Sequence, residues 1–281
     1  MNVRECGFFV IVFWLFDFPS EKGINMRNVL LTTGLLILGF SGSAMAHFGM
    51  VIPSKVVVEE TEDGIVIVEI SFSHPMEMVG MDMAKPKVVH VIANGKAEDV
   101  TDQLLPTKII DKDAWRLEFT PKRPGVYALI MEPTPYWEPA EDCFIVHYTK
   151  TYIAAFGEGE GWDEPAGLKT EIVPLTRPFG NYAGNVFQGR VLLDGKPVPH
   201  AEVEVEYYNR EGKYAAPNEQ MVTQVIKADE NGVFTCGIPF AGWWGFAALN
   251  TSDEKMTHDG EEKDVELGAV IWVEFVAPIT K

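Results

Sequence analysis

Helical periodicity is missing from this chain. No stretch repeats its apolar residues every three to four positions over several turns, which argues against a helical bundle or an α/β fold. Cysteine is scarce: the 281 residues hold three, with no C-x-x-C and no zinc-type spacing. Neither a disulfide scaffold nor a thiolate zinc site fits. Positive charge is short, at 23 Lys and Arg against 41 Asp and Glu, a net charge of −18. That balance argues against nucleic acid and anionic lipid as partners. Catalytic signatures are missing too. There is no Gly-x-Ser-x-Gly, no phosphate-binding glycine loop and no His-Glu-x-x-His. No carboxylate pair stands out as an acid–base couple, so the reading is non-enzymatic. After Ala46 no apolar run is long enough to cross a bilayer.

What is present begins at the N-terminus. Met26-Arg27-Asn28, an apolar run from Val29 to Phe40 and the small-x-small ending Ala44-Met45-Ala46 read as a signal peptide over 1–46. Met26 fits as its initiator. The earlier apolar run, Phe8 to Phe16, is short for a membrane span, although translation of 1–25 would allow an uncleaved anchor. Cleavage after Ala46 leaves an acidic, exported, periplasmic chain with no membrane insertion. Its first residue is His47. An α-amine and an Nδ1 on one residue can close a chelate ring on a metal ion without help from the fold. The amine has a reference pKa of about 7.7, so near neutral pH a metal displaces a loosely held proton.

Strand signals dominate the rest. Val66, Val68, Ile70, Phe72 and His74 share one parity, and Pro75 stops the run. A methionine-rich loop follows, with Met76, Met78, Met81 and Met83. Lys87 to Ala93 is a strand that turns at Asn94-Gly95, and Trp115 to Phe119 alternates cleanly. Pro133 to Asp142 is a Pro-rich, aromatic, acidic loop, and Phe144 to Ala155 is a long strand that carries His147. From 156 to 179 the composition turns to Gly, Glu and Pro, read as a linker, with an extended stretch from Thr170. Asp194-Gly195 is a hairpin signal, and Val203, Val205 and Tyr207 alternate with Glu202, Glu204 and Glu206. Many short strands with turns between them predict an all-β chain. The predicted architecture is two immunoglobulin/transthyretin-like β-sandwich domains in tandem, over 47–155 and 180–281. Cys143 and Cys236 remain after cleavage, either as a disulfide or as buried small hydrophobes.

Two resemblances rest on these residues. The stretch Gly189-Arg190-Val191, Asp194-Gly195-Lys196-Pro197 and Ala228-Asp229-Glu230-Asn231-Gly232 looks like a carboxypeptidase-regulatory-like, transthyretin-type sandwich. The mature chain as a whole resembles exported accessory components of nickel/cobalt uptake systems of the energy-coupling-factor type. The matching stretches are His47-Phe48-Gly49-Met50, Ser73-His74-Pro75-Met76, Pro135-Tyr136-Trp137-Glu138-Pro139, His147-Tyr148-Thr149-Lys150 and Glu171-Ile172-Val173-Pro174-Leu175. That resemblance implies a mature N-terminal histidine, further histidines of the first domain as nickel ligands, and membrane subunits of an importer as partner.

The residues themselves name the candidates. The six histidines are His47, His74, His90, His147, His200 and His258. His47, His74 and His147 form the candidate metal set, with the His47 amine as a fourth nitrogen; four nitrogens in a tetragonal array suit Ni(II) or Cu(II), with Co(II) as a further option. His90 is assigned to core packing, while His200 and His258 are placed in solvent. The methionine loop reads as packing, against an alternative as a soft copper segment. Glu138, Glu141 and Asp142 could supply an oxygen ligand or orient an imidazole. Three functions stay open: a carrier of Ni(II), a copper-brace oxidase, and a structural or adhesion module without metal.

Overall fold

A computed structural model of the protein describes residues 47–60, 64–157 and 159–281. The predicted signal peptide, 1–46, lies outside the described residues. These form one compact unit, and their helical content is two short 3-10 turns, Thr101–Gln103 and Glu219–Met221. No helix among them is long and apolar enough to cross a membrane. The all-β prediction holds.

Three sheets build two sandwiches. The first sheet runs in the order Phe48–Pro53, Val66–His74, Lys112–Phe119, Leu105–Ile109, with Val79–Met81 added beside Val66–His74. A third, smaller sheet joins Thr170–Pro174, Val186–Leu193, Lys196–Pro197 and Val233–Gly237. Between them lies a sheet of 12 strands, and both sandwiches use it. Its seam is the parallel pairing of Cys143–Ala155 with Glu261–Val276, from Cys143 opposite Asp264 to Lys150 opposite Ile271. The sequence placed a linker at 156–179. The connecting chain ends earlier, because Thr170–Pro174 is fully buried and pairs with Val186–Leu193.

The hairpin signals behave as their dipeptides require. Asn94 and Gly95 have φ of 51° and 70°, and Asp194 and Gly195 have 50° and 70°. Positive φ at both central residues gives the turn that matches strand twist. The predicted parity of Val66, Val68, Ile70 and Phe72 is also observed: all four face the first core.

The first described strand, Phe48–Pro53, is buried on both sides. Phe48, Met50 and Ile52 join the larger core, while Val51 joins the first. Phe48 packs edge-on against Trp272 at 5.7 Å between ring centres. The Trp272 indole N–H donates to the Gly49 carbonyl at 2.9 Å. A strand that fills space between two cores has its register fixed strongly, since a slip of one residue would exchange its two apolar faces. The residue ahead of it, His47, is therefore held in place. Cys143 and Cys236 are free thiols.

Candidate metal centre

His47 and His74 meet because of strand register. Phe48 lies opposite Ser73 and Gly49 opposite Phe72 in an antiparallel pair. One step further along puts His47 beside His74, on the face of Phe72 and Ile70. The two imidazole centres are 4.5 Å apart, and both side chains are largely buried. His47 also stacks on Phe72 at 5.7 Å and lies 6.5 Å from Tyr136.

His147 comes from the facing sheet. Its parity is that of Ile145 and Ile153, which sit in the first core, so its ring points into the same space between sheets. It meets Phe72 edge-on at 5.7 Å and is 2% exposed. Two glycines make room for it. A Cβ on Gly268 would overlap the imidazole, and one on Gly49 would overlap Thr149 Oγ1 and crowd His147 Cβ. All three predicted histidines thus gather around Phe72 at one end of the first sandwich.

Each outer imidazole has a carboxylate. His47 Nε2 is 3.0 Å from Glu138 Oε2, and His147 Nε2 is 3.2 Å from Glu266 Oε1. The Gly49 N–H donates to His147 Nδ1 at 3.4 Å. That assigns the His147 proton to Nε2, where it is donated to Glu266. Glu138 is held in turn by the Ala140 N–H, 2.9 Å from Oε1. The sequence singled out Glu138; Glu266 was missed, because it arrives from a strand more than a hundred residues away.

Burial keeps the His47 imidazole deprotonated. Burial, helped by His74 and His147 and opposed by Glu138, pushes His47 from 6.5 down to about 4. Burial raises Glu266, but the His147 hydrogen bond and the charges of His147 and His47 outweigh it and leave its carboxyl below the usual range. A neutral imidazole at His47 is the protonation state a divalent cation needs. As the side chains stand, no three His, Cys, Asp or Glu among the described residues converge on a common point.

The remaining histidines sort by parity. His90 was assigned to the core; Val89 and Val91 take the core, and His90 is half-buried on the opposite face. His200 is exposed, as predicted. His258 is not simply solvated. It stacks on Trp137 with ring centres 3.9 Å apart and planes 16° from parallel. Met78, Met81 and Met83 pack against the two cores, and the Met76 N–H donates to Glu206. That is the packing role.

A pocket of about 280 Å³ opens beside the histidines, between the methionine loop and the Pro-rich loop. Phe72, Tyr136 and His147 are in its wall.

No curated protein matches the chain. Solved structures overlap it loosely. The D0-D1 domain of Intimin is 11% identical, with 82% of this chain and 100% of that one covered at a TM-score of 0.23. Trypsin-activated alpha-2-macroglobulin from Escherichia coli is 8% identical, with 82% and 16% covered at 0.24. A candidate carbohydrate-binding protein from Bacteroides uniformis ATCC 8492 is 10% identical, with 79% and 96% covered at 0.23. These scores are too low to bear on function. The family model described as "Domain of unknown function (DUF4198)" matches residues 44–252, which take in the first sandwich and the second as far as the strand before Glu261–Val276, and the chain belongs to that family.

Proposed function

We propose that this protein is an exported carrier that captures Ni(II), with Co(II) as a second cargo, and hands it to the membrane subunits of an importer. The observation that carries the reading is the His47–His74 contact, 4.5 Å between ring centres, at the position that signal cleavage would turn into a chain terminus. In this reading the α-amine and imidazole of His47 and one nitrogen of His74 hold the ion. His147, the third histidine of the set, stands beside this pair with both ring nitrogens engaged, one by the Gly49 N–H and the other by Glu266. Glu138 orients His47 and raises its basicity, the usual task of a carboxylate behind a ligating histidine. No step of chemistry is required. The ion is held until the importer offers a stronger site.

Isothermal titration tests this directly. Protein beginning at His47 is compared with protein carrying one extra residue before it. Nickel should bind the first at least tenfold more tightly. Equal affinities would end the reading.

A second reading is supported by the same pair. Two histidines, a terminal amine and neighbouring rings of Phe72 and Tyr136 also describe a copper brace. Copper binding with copper-dependent peroxide consumption on a polysaccharide would favour it over the carrier.

A further inference from the structure

The pocket beside the histidines holds none of the carrier's proposed ligands, His47 and His74, in its wall. It is lined by Met83, Met131, Pro135, Tyr136, Phe72 and, at one end, His147. Its wall includes one acid, Asp82, and no Lys or Arg. At roughly 30 Å³ for each water-sized group, 280 Å³ has room for about nine. Such walls offer water few partners, and apolar pockets with a few polar groups are where small organic ligands bind.

The donor count points the same way. No three side-chain donors converge among the described residues. Both ring nitrogens of His147 are engaged, one by the Gly49 N–H and the other by Glu266. His47 with its amine and His74 give three nitrogens, which leaves one place of a tetragonal ion open. Phe72 and Tyr136, the rings that flank His47, are also walls of the pocket.

We infer that the cargo is taken as a complex with a small organic chelator, one donor atom of which fills the open place while its second takes an axial position, and whose apolar or aromatic body fills the pocket. This rests on the carrier reading and names the form of its substrate. Glu138, Glu141 and Glu266 surround the histidines, so the accepted complex is neutral or cationic, and a polycarboxylate complex is repelled.

The probes are aqueous Ni(II), its 1:1 complex with picolinate and its 1:1 complex with citrate, titrated into protein beginning at His47. The picolinate complex should bind at least tenfold more tightly than the aqueous ion, and the citrate complex more weakly than either. Ala84→Trp, at the exposed rim of the pocket, should abolish the picolinate advantage and leave aqueous nickel within about twofold. Thr134→Trp gives the same test should the first variant fail to fold. If the aqueous ion binds as well as the picolinate complex, or the advantage survives both variants, the chelator inference is overturned and the carrier stands. If no form of nickel binds, both fall.

Discussion

At the scale of single residues, the centre depends on what glycine leaves out. Gly268 lies opposite His147 across the seam, and any side chain there would overlap the imidazole. Gly268→Ala should therefore cost about 1–3 kcal/mol, the range for overpacking a filled interior. Urea unfolding measures it, and an unchanged midpoint would mean that the ring moves aside freely. Glu138 is the matching test of positioning. Glu138→Gln keeps the size of the side chain and removes its charge. It should weaken nickel binding by about ten- to a hundredfold, the usual effect of losing a carboxylate behind a ligating histidine. Titration calorimetry gives the number, with cobalt as a second reporter.

At the scale of elements, the strand Glu202–Tyr207 carries an unusual pH signature. Its apolar face, Val203 and Val205, lies in the larger core. On its other face Glu206 is buried and accepts from the Met76 N–H of the first sandwich, while Glu204 is half-buried. Burial pushes each carboxyl up to about 7, with Glu266 adding to the rise at Glu204. Unfolded, the same groups titrate near 4.5. Between those values the folded protein holds more protons, so stability falls as pH rises from 4.5 to 7, by about 3 kcal/mol per carboxyl. His47 has the opposite slope. It is neutral in the fold down to about pH 4, and its contribution is lost as pH falls from 6.5 through 4. The double variant Glu204→Gln, Glu206→Gln should be more stable than the parent at pH 8 and should lose the alkaline decline. Denaturation midpoints at pH 5, 6, 7 and 8 would show it, and parallel curves for parent and variant would refute it.

At the scale of the molecule, the shared sheet makes the two sandwiches one folding unit. Cys143–Ala155 and Glu261–Val276 are paired along eight residues. From the seam strand, Lys150 Nζ reaches the third sheet and donates to Glu171 Oε2 at 2.7 Å, with both side chains buried. The Ala166 and Gly167 N–H groups also donate to Glu171, so the buried carboxylate is well satisfied. Scanning calorimetry should show a single unfolding transition for 47–281; two separate ones would mean that the seam is weak. Lys150→Met should cost about 3–5 kcal/mol by leaving Glu171 charged and unpaired. Adding Glu171→Leu to it should recover most of that loss, because an apolar pair of similar volume often replaces a buried ion pair without penalty.

The sequence by itself determined the local structure: the strands, the Asn-Gly and Asp-Gly turns, the parity that turns Val66 through Phe72 inward, and the three histidines to watch. These are consequences of backbone geometry and of a period of two, both of which are written in neighbouring residues. It also marked Glu138, because that residue lies close in sequence to an aromatic loop. It did not yield Glu266, the Trp137–His258 stack, the outward turn of His90, or the continuation of one sheet through both sandwiches. All but the turn of His90 are set by which strand pairs with which across a hundred residues or more, and His90 by pairings up to forty residues away. Alternation says that a strand has two faces, but only packing decides which face is covered, and by what. The contact of His47 with His74 stands between the two cases: both residues were legible, and the register that brings them together was decided by burying Phe48 and Met50 in one core and Val51 in the other.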